Sequence, residues 1–383
     1  MSRAVERPVV AIYRHELLAP SETFIHAQAN ALRTFEPVFV GLRTTAGIEL
    51  PADRMVIAES GSAGRIRSAA LQLGIVSRAF VERIRAHHPV ILHAHFEGGG
   101  TIAMAIARAL GIPLVVTAHG YDVTMDDRER MPDPMVRRFY VKRRRQLQRT
   151  GDLFIAVSDH IRRAMIARRY PAERIRVHRI GVDTERLAPA DAVEREPVVL
   201  FVGRLVEKKG GEFLVRAMPA VAEAVTGARA VFIGEGPLRP RLEALARELR
   251  APIEFLGSQP YAEVIASMQR ARVLSVPTVR AANGDMDGCA MVLVEAQAAG
   301  LPVVSFHSGG TSEAVVDGTT GWLAPERDVQ RLTRGIIDLL TDHDRWRDFS
   351  NAGRAHVVRD FNLRKQSVLL EEIYSEVIGR KPA

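Results

Sequence analysis

The sequence predicts an α/β protein built from two Rossmann-like, doubly wound domains. Short β-branched runs alternate with amphipathic stretches throughout the chain, the pattern of parallel strands covered by helices. The alternation falls into two series separated by the polar, proline-bracketed segment Leu187–Pro197. With 383 residues the chain also exceeds what one ordinary core fills, so two domains are the default.

Taken in order, the first series of strands reads Val9–Tyr13, Pro37–Gly41, Met55–Ala58, Val90–His93, Leu114–Thr117, Leu153–Val157 and Ile175–Arg179. The second reads Val198–Val202, Ala230–Ile233, Ile253–Leu256, Val273–Val276, Pro302–Phe306 and Gly321–Leu323. Helical segments follow at Asp328–Leu340, Arg345–Val358 and Leu363–Ile378. Doubly wound sheets take ligands beyond the carboxyl ends of their strands, so the cleft between two facing domains is the expected site.

A hydrophobic fraction of 47% with 26% charged residues fits a folded soluble protein rather than a disordered one. The single cysteine, Cys289, excludes an internal disulfide framework and a cysteine metal cluster, and suits a reducing cytoplasm. Residues Met1–Arg7 lead only into a short apolar strand, so no secretory signal is expected, and no run approaches the roughly 18 apolar residues of a spanning helix. The net charge of +8 is concentrated: Arg128–Arg179 holds 16 Lys/Arg against 5 Asp/Glu. Such a surface suits phosphates, acidic headgroups or nucleic acid, or it is a solvated helix face.

The second half carries the clearest chemistry. Gly203-Arg204 closes an apolar strand, and Lys209 precedes Gly210-Gly211 and a helix. Two cations beside a glycine turn into a helix N-terminus make a diphosphate cradle. Gly234 and Gly236 close the next strand, where glycines let a ligand approach the backbone. Leu256 ends the strand after that, where main-chain groups can meet a base edge. The long loop Thr278–Cys289 brings Asn283, Asp285 and Asp287 ahead of a helix that carries Glu295. Amides of Gly288, Cys289, Ala290 and Met291 are placed to meet a phosphate or a sugar hydroxyl, and Glu295 to accept from a ribose diol. The loop's acids also suit a divalent cation, but no ligand spacing repeats and no metal is expected.

In the first half Tyr13-Arg14-His15, His93-Ala94-His95 and Ala118-His119-Gly120 all fall at carboxyl ends of strands. These histidines either bond sugar hydroxyls or are structural. Asp122 either orients His119 or caps the next helix.

Gly203-Arg204…Lys209-Gly210, Gly234-Glu235-Gly236-Pro237, the Asp287…Glu295 segment, Ala299-Gly300-Leu301-Pro302, Ser308-Gly309-Gly310…Glu313 and Gly318-Thr319-Thr320-Gly321-Trp322 occur in one order. That order resembles the retaining family-4 glycosyltransferases of GT-B fold. In the first half Ser21-Glu22-Thr23-Phe24, His93-Ala94-His95-Phe96 and His119-Gly120-Tyr121-Asp122 resemble the branch that builds exopolysaccharides such as colanic acid and amylovoran.

The resemblance implies an acceptor domain at residues 1–188, a donor domain at 189–362, and a final helix at about 363–383 that packs back on the first. It implies that Arg204 and Lys209 neutralise a donor diphosphate, that Asp287 lies near the donor sugar, and that His119 contacts that sugar. Gly203, Gly234, Gly236, Leu256, Gly288–Met291 and Glu295 would hold the rest of the donor. Acceptor contacts are expected from His15, Ser21, Glu22, Thr23, His95 and Asp122. No cofactor beyond a UDP- or GDP-sugar is implied. The family typically has Glu where this chain has Asp287, one methylene shorter, and the usual glycine-rich loop after the first strand is replaced here by Pro20 and a Ser21 cap.

Expected partners are a polyprenyl-diphosphate-linked saccharide and the anionic inner face of the plasma membrane, not nucleic acid. Arg137–Arg149 interleaves Phe139, Tyr140, Val141 and Leu147 with charge, as an interfacial helix does. Two rival readings stay open: a nucleotide-sugar epimerase of similar twin-domain fold, and a non-catalytic basic protein that binds membrane or nucleic acid.

Overall fold

The structure, a computed structural model, describes residues 7–17, 22–44, 48–58, 74–190 and 195–380. It divides into two compact units: Met1–Gly181 with Leu363–Ala383, and Val182–Asn362.

The first unit holds a seven-stranded sheet, ordered β5-β3-β1-β6-β7-β8-β9. Its strands are β1 Val9–Tyr13, β3 Glu36–Gly41, β5 Met55–Ile57, β6 Pro89–His95, β7 Leu114–Ala118, β8 Leu153–Ala156 and β9 Ile175–Val177. All neighbours run parallel, with Tyr13 level with Val40 and Ala94, and His95 level with Thr117. β7 is buried along its whole length, so it reads as one apolar, β-branched run. A two-residue ladder pairs β2 Glu16–Leu17 with β4 Arg43–Thr44. The strand order reverses between β1 and β6, which makes that edge the switch point.

The helix Leu363–Gly379 completes this unit. Its buried Glu371 accepts the main-chain N–H groups of Arg33, Thr34 and Phe35 at 2.7, 2.6 and 3.2 Å. Tyr374, fully buried, packs its ring against Phe35 and sits 2.6 Å from His93 Nδ1.

The second unit holds a six-stranded parallel sheet, ordered β12-β11-β10-β13-β14-β15. Its strands are β10 Glu196–Val202, β11 Arg229–Ile233, β12 Ile253–Gly257, β13 Ala271–Ser275, β14 Val303–Phe306 and β15 Gly321–Ala324. Here the order reverses between β10 and β13. One continuous core joins both faces, including Phe201, Phe232, Leu293, Phe306 and Ile336.

The units part between Gly181 and Val182 rather than at 188/189. Leu187 is 1% exposed within the second core, and Arg354 donates to the carbonyls of Leu187 and Thr184, which ties the segment to that unit. β10 likewise begins at Glu196, inside the stretch expected as a linker.

The basic helix spans Pro134–Thr150, capped by the Asp133 carboxylate, which accepts from Met135 and Val136 N–H. Two of its interleaved residues turn inward: Leu147 is fully buried, and Tyr140 donates to Glu97 Oε1 at 2.6 Å. Arg144 pairs with Asp127 at 2.8 Å. The apolar surface left outward belongs to Met135, Val136 and Phe139. Among the described residues no helix is long and apolar enough to cross a membrane.

Candidate functional site

In the second unit, the loops after β10 and β13 meet at the switch point. Glu207–Lys209 forms a single 3-10 turn closed by Gly210 at φ +66°, and the helix Gly211–Ala224 starts there. Gly210 lies so close to β13's end that a Cβ would overlap the Pro277 carbonyl. The Lys208 carbonyl accepts from Val279 N–H at 2.9 Å, and the Glu207 carboxylate from Ala282 N–H at 3.1 Å. These bonds stitch the cation-bearing turn to the acidic loop.

The side chains then pair. Lys209 Nζ donates to Asp287 Oδ2 at 2.6 Å. Lys208 Nζ donates to Asp285 Oδ1 at 3.0 Å and lies 3.5 Å from Asp287 Oδ1. Burial alone would raise the Asp287 carboxyl, but Lys209 and Lys208 outweigh it and hold it below the ordinary range. For Asp285 burial prevails over Lys208, and its carboxyl is raised. Lys209 and Asp287, expected to serve separate parts of a ligand, are thus each other's counter-ions here. Arg204 is exposed beside them. The Asp285–Lys208 pair was not anticipated, because adjacent lysines in a turn ordinarily read as solvated charge.

Glu295 stands on the helix Met291–Ala298, whose cap, Ala290, offers no side-chain acceptor to the first amides. Gly288 and Cys289 lead into it. Burial raises the Glu295 carboxyl, and Tyr261 donates to its Oε1 at 3.3 Å. Arg186 lies 4.8 Å over the Tyr261 ring. Nothing in the local sequence marked Tyr261.

Three residues expected at the donor also serve the protein's own backbone. A Cβ at Gly234 would overlap the Gly203 carbonyl, and one at Gly236 would overlap that of Leu205. These glycines are therefore required by the protein's own backbone, with Leu205 N–H bonded to Glu235 O at 2.9 Å. Leu256 is 39% exposed, but its carbonyl already accepts from Gln259 Nε2 at 2.8 Å.

In the first unit the ends of β1, β6 and β7 gather Arg14, His15, His95, Phe96 and His119. Arg14 forms an ion pair with Glu22 at 2.6 Å, and its guanidinium lies 4.4 Å over the Phe96 ring. Glu22 caps the helix Thr23–Asn30 by position, but its carboxylate turns to Arg14 instead. Thr23 is exposed at that helix start, and Ser21 lies outside the described residues. His15 Nδ1 is buried without a partner among the described residues.

His95, expected at the acceptor, is 1% exposed and sits 3.0 Å from His119 Nε2 through its Nδ1. The His119 ring is boxed by Phe24 and Phe96, at 5.0 and 4.5 Å between centroids, and its Nδ1 is buried too. Burial, then His93 and Arg14, push the His119 imidazole down to about 3. Asp122 does not orient that ring. Its carboxylate accepts from the main-chain N–H groups of His119, Gly120 and Glu97 at 3.1, 2.8 and 3.0 Å, fixing the loop backbone. His93 is structural, bonded to Tyr374 and to Thr117 Oγ1 at 2.7 Å. Among the described residues no group of three or more His, Cys, Asp or Glu is placed to hold a metal ion.

Twin Rossmann-like units, each with polar side chains gathered at its switch point, are the architecture of GT-B glycosyltransferases. The Glycosyltransferase Family 4 model matches residues 21–186, and the Glycosyl transferases group 1 model matches 183–356. A putative colanic acid biosynthesis glycosyltransferase of Escherichia coli (strain K12) is 34% identical over 292 residues, 74% of this chain and 68% of that protein. Its Salmonella typhimurium counterpart is 34% identical over 279 residues, but only 66% of its own length is matched. A GDP-mannose-dependent alpha-(1-6)-phosphatidylinositol monomannoside mannosyltransferase of Mycolicibacterium smegmatis is 32% identical over 62% of this chain and 65% of its own length. The chain therefore spans about two thirds of these relatives. Among solved structures, Anabaena HepE in complex with UDP-glucose superposes with TM-score 0.74 at 17% identity, over 96% of this chain and 99% of that one. The chain belongs to the family-4 glycosyltransferases and has their GT-B fold.

Proposed function

We propose that the chain moves a hexose from a UDP- or GDP-sugar to a lipid-linked saccharide, with retention at the anomeric carbon, in the synthesis of a bacterial surface or exopolysaccharide. The observation that carries this reading is the convergence of Lys209, the Gly211 helix start, Asp287 and Glu295 beyond β10 and β13. Negative charge grows on a departing diphosphate, so Arg204, Lys209 and the helix amides lower the barrier there. Glu295 accepts from the ribose hydroxyls while Tyr261 steadies one of its oxygens. Asp287 lies by the sugar once Lys209 has turned to the diphosphate. The second unit holds the donor, and the first receives the acceptor near His15, Glu22 and Thr23.

The acceptor hydroxyl attacks the face from which the diphosphate leaves, and its proton passes to that leaving group. The scheme draws the charge that meets the diphosphate from Arg204, Lys209 and the helix amides rather than from a metal ion. The relatives that use GDP-mannose support a GDP donor, and the UDP-glucose complex of the Anabaena protein supports a UDP donor. A phosphatidylinositol mannoside acceptor in one relative favours lipid. Met135, Val136 and Phe139 beside Arg138 and Lys142 suit docking at the inner membrane face, with about 1 kcal/mol gained per cation at an anionic leaflet.

A thermal-shift screen of UDP, GDP and ADP sugars on the parent protein, Glu295→Ala and Lys209→Ala tests the donor site. Stabilisation of the parent alone is expected; equal stabilisation of all three removes these residues from the site. Product formed without any acceptor would point to an epimerase instead. Sedimentation with vesicles should favour anionic over neutral lipid, and indifference would refute docking.

A further inference from the structure

The Lys209–Asp287 pair sets a condition on any diphosphate contact by Lys209. The Asp287 side chain is 11% exposed, and its Oδ2 depends on Lys209 at 2.6 Å. A lysine that turns to a phosphate leaves that carboxylate behind, and an uncompensated charge in a mostly buried place is among the costliest states a protein can adopt.

Lys208 meets the condition. Its side chain is 8% exposed and already lies 3.5 Å from Asp287 Oδ1, the oxygen farther from Lys209's grip. Its main contact, Asp285 Oδ1 at 3.0 Å, lies on the same loop. Main-chain bonds on both sides hold it in place: Lys208 O accepts from Val279 N–H, and the next two residues turn tightly at Gly210. Asp285, Lys208, Asp287 and Lys209 thus form a row of two carboxylates and two ammonium groups. The other charges acting on the row are Arg204, felt by Asp285, and Glu295, which feels Lys209.

We propose that Lys208 is a counter-ion relay: as Lys209 passes from Asp287 to the diphosphate of the donor, Lys208 closes on Asp287 and keeps it ionised. The inference rests on the proposed diphosphate contact of Lys209 and goes past it, since Lys208 is a positioning residue that touches no ligand. The movement it requires is small, from 3.5 Å to hydrogen-bond distance, and Lys208 keeps its 3.0 Å contact with Asp285 as its ammonium group bridges the two carboxylates. With the relay intact, binding involves no net proton uptake. Without Lys208, Asp287 has to take up a proton when Lys209 departs.

Calorimetry of UDP binding at pH 7 in buffers of different ionisation enthalpy reads this directly. The parent protein should take up almost no proton. Lys208→Met should bind UDP about tenfold more weakly and take up about one proton, and adding Asp287→Asn should abolish the uptake and restore most of the affinity. A Lys208 that merely braces the loop would weaken binding without any proton uptake, and that result overturns the relay, as does unchanged binding. Should Lys208→Met not fold, Asp287→Asn alone decides: freeing Lys209 in advance should tighten UDP binding about tenfold, and weaker binding refutes the proposal. A parent that binds none of UDP, GDP and ADP sinks the donor site and the relay together. A parent that binds, beside an indistinguishable Lys208→Met, sinks the relay alone.

Discussion

Acidification is expected to loosen the first unit by a calculable amount, through the histidines at the ends of β6 and β7. In an unfolded chain each imidazole takes up a proton near pH 6.5. In the folded chain burial, with a contribution from His178, pushes His93 down to about 3, and burial with His93 and Arg14 does the same to His119. His95 is also held well below its ordinary value, by burial first and then by its histidine neighbours. The folded values are depressed, so the unfolded state binds more protons at acid pH. The stability the neutral rings permit is therefore complete above about pH 6.5 and is lost as pH falls. His93 and His119 alone give a slope of about 2.7 kcal/mol per pH unit below that point, or about 4 kcal/mol by pH 5. That is a large fraction of the 5–15 kcal/mol typical of a whole domain. Hydrogen exchange at pH 7, 6 and 5, corrected for intrinsic rates, would follow amides of β6 and β7 with β10 and β11 as internal reference. Protection in β6 and β7 should collapse first, and His93→Gln should remove about half of the slope. Unchanged protection at pH 5 across β6 and β7 would refute the reasoning.

Other outcomes follow from the second unit and from the final helix. Burial raises the Glu295 carboxyl, and ribose hydroxyls need it ionised. UDP affinity should therefore be full above the raised value and fall as pH drops through it, beginning above 4.5; Glu295→Gln should flatten that dependence and weaken binding roughly tenfold in titration calorimetry. Gly234→Ala places a methyl against the Gly203 carbonyl at φ +137°, and thermal melts should show a loss of about 2 kcal/mol or more. Tyr374→Phe removes the hydroxyl that meets His93. It should cost about 1 kcal/mol in denaturant titrations while leaving UDP affinity unchanged.

How much of this was legible in the sequence depended on the range of each interaction. Both sheets could be read because parallel strands covered on two faces become uninterrupted apolar runs, as in Leu114–Ala118 and Val198–Val202. The β2–β4 ladder, two residues long, leaves no period to detect. Motif order brought Lys209 and Asp287 to the same sheet edge, but not to each other: their bond joins residues 78 apart, and no local pattern encodes a pairing at that range. Nor does a local pattern encode His95 with His119 or Tyr261 with Glu295, which lie 24 and 34 residues apart. Asp122 was ambiguous because one carboxylate three residues from a histidine can serve a ring or a turn, and only the fold brings Glu97 N–H to it. Lys208 was hidden by its neighbour, since two lysines in a turn look solvated until Asp285 folds over one of them.

The helix Leu363–Gly379 carries a consequence for synthesis. The ribosome makes the whole of Val182–Asn362 before it makes Glu371 and Tyr374, so the later-encoded sheet has all its residues while the earlier one still lacks a wall. During that interval Phe35 and the turn at Arg33–Thr34 lack the carboxylate and the ring that the final helix brings to them.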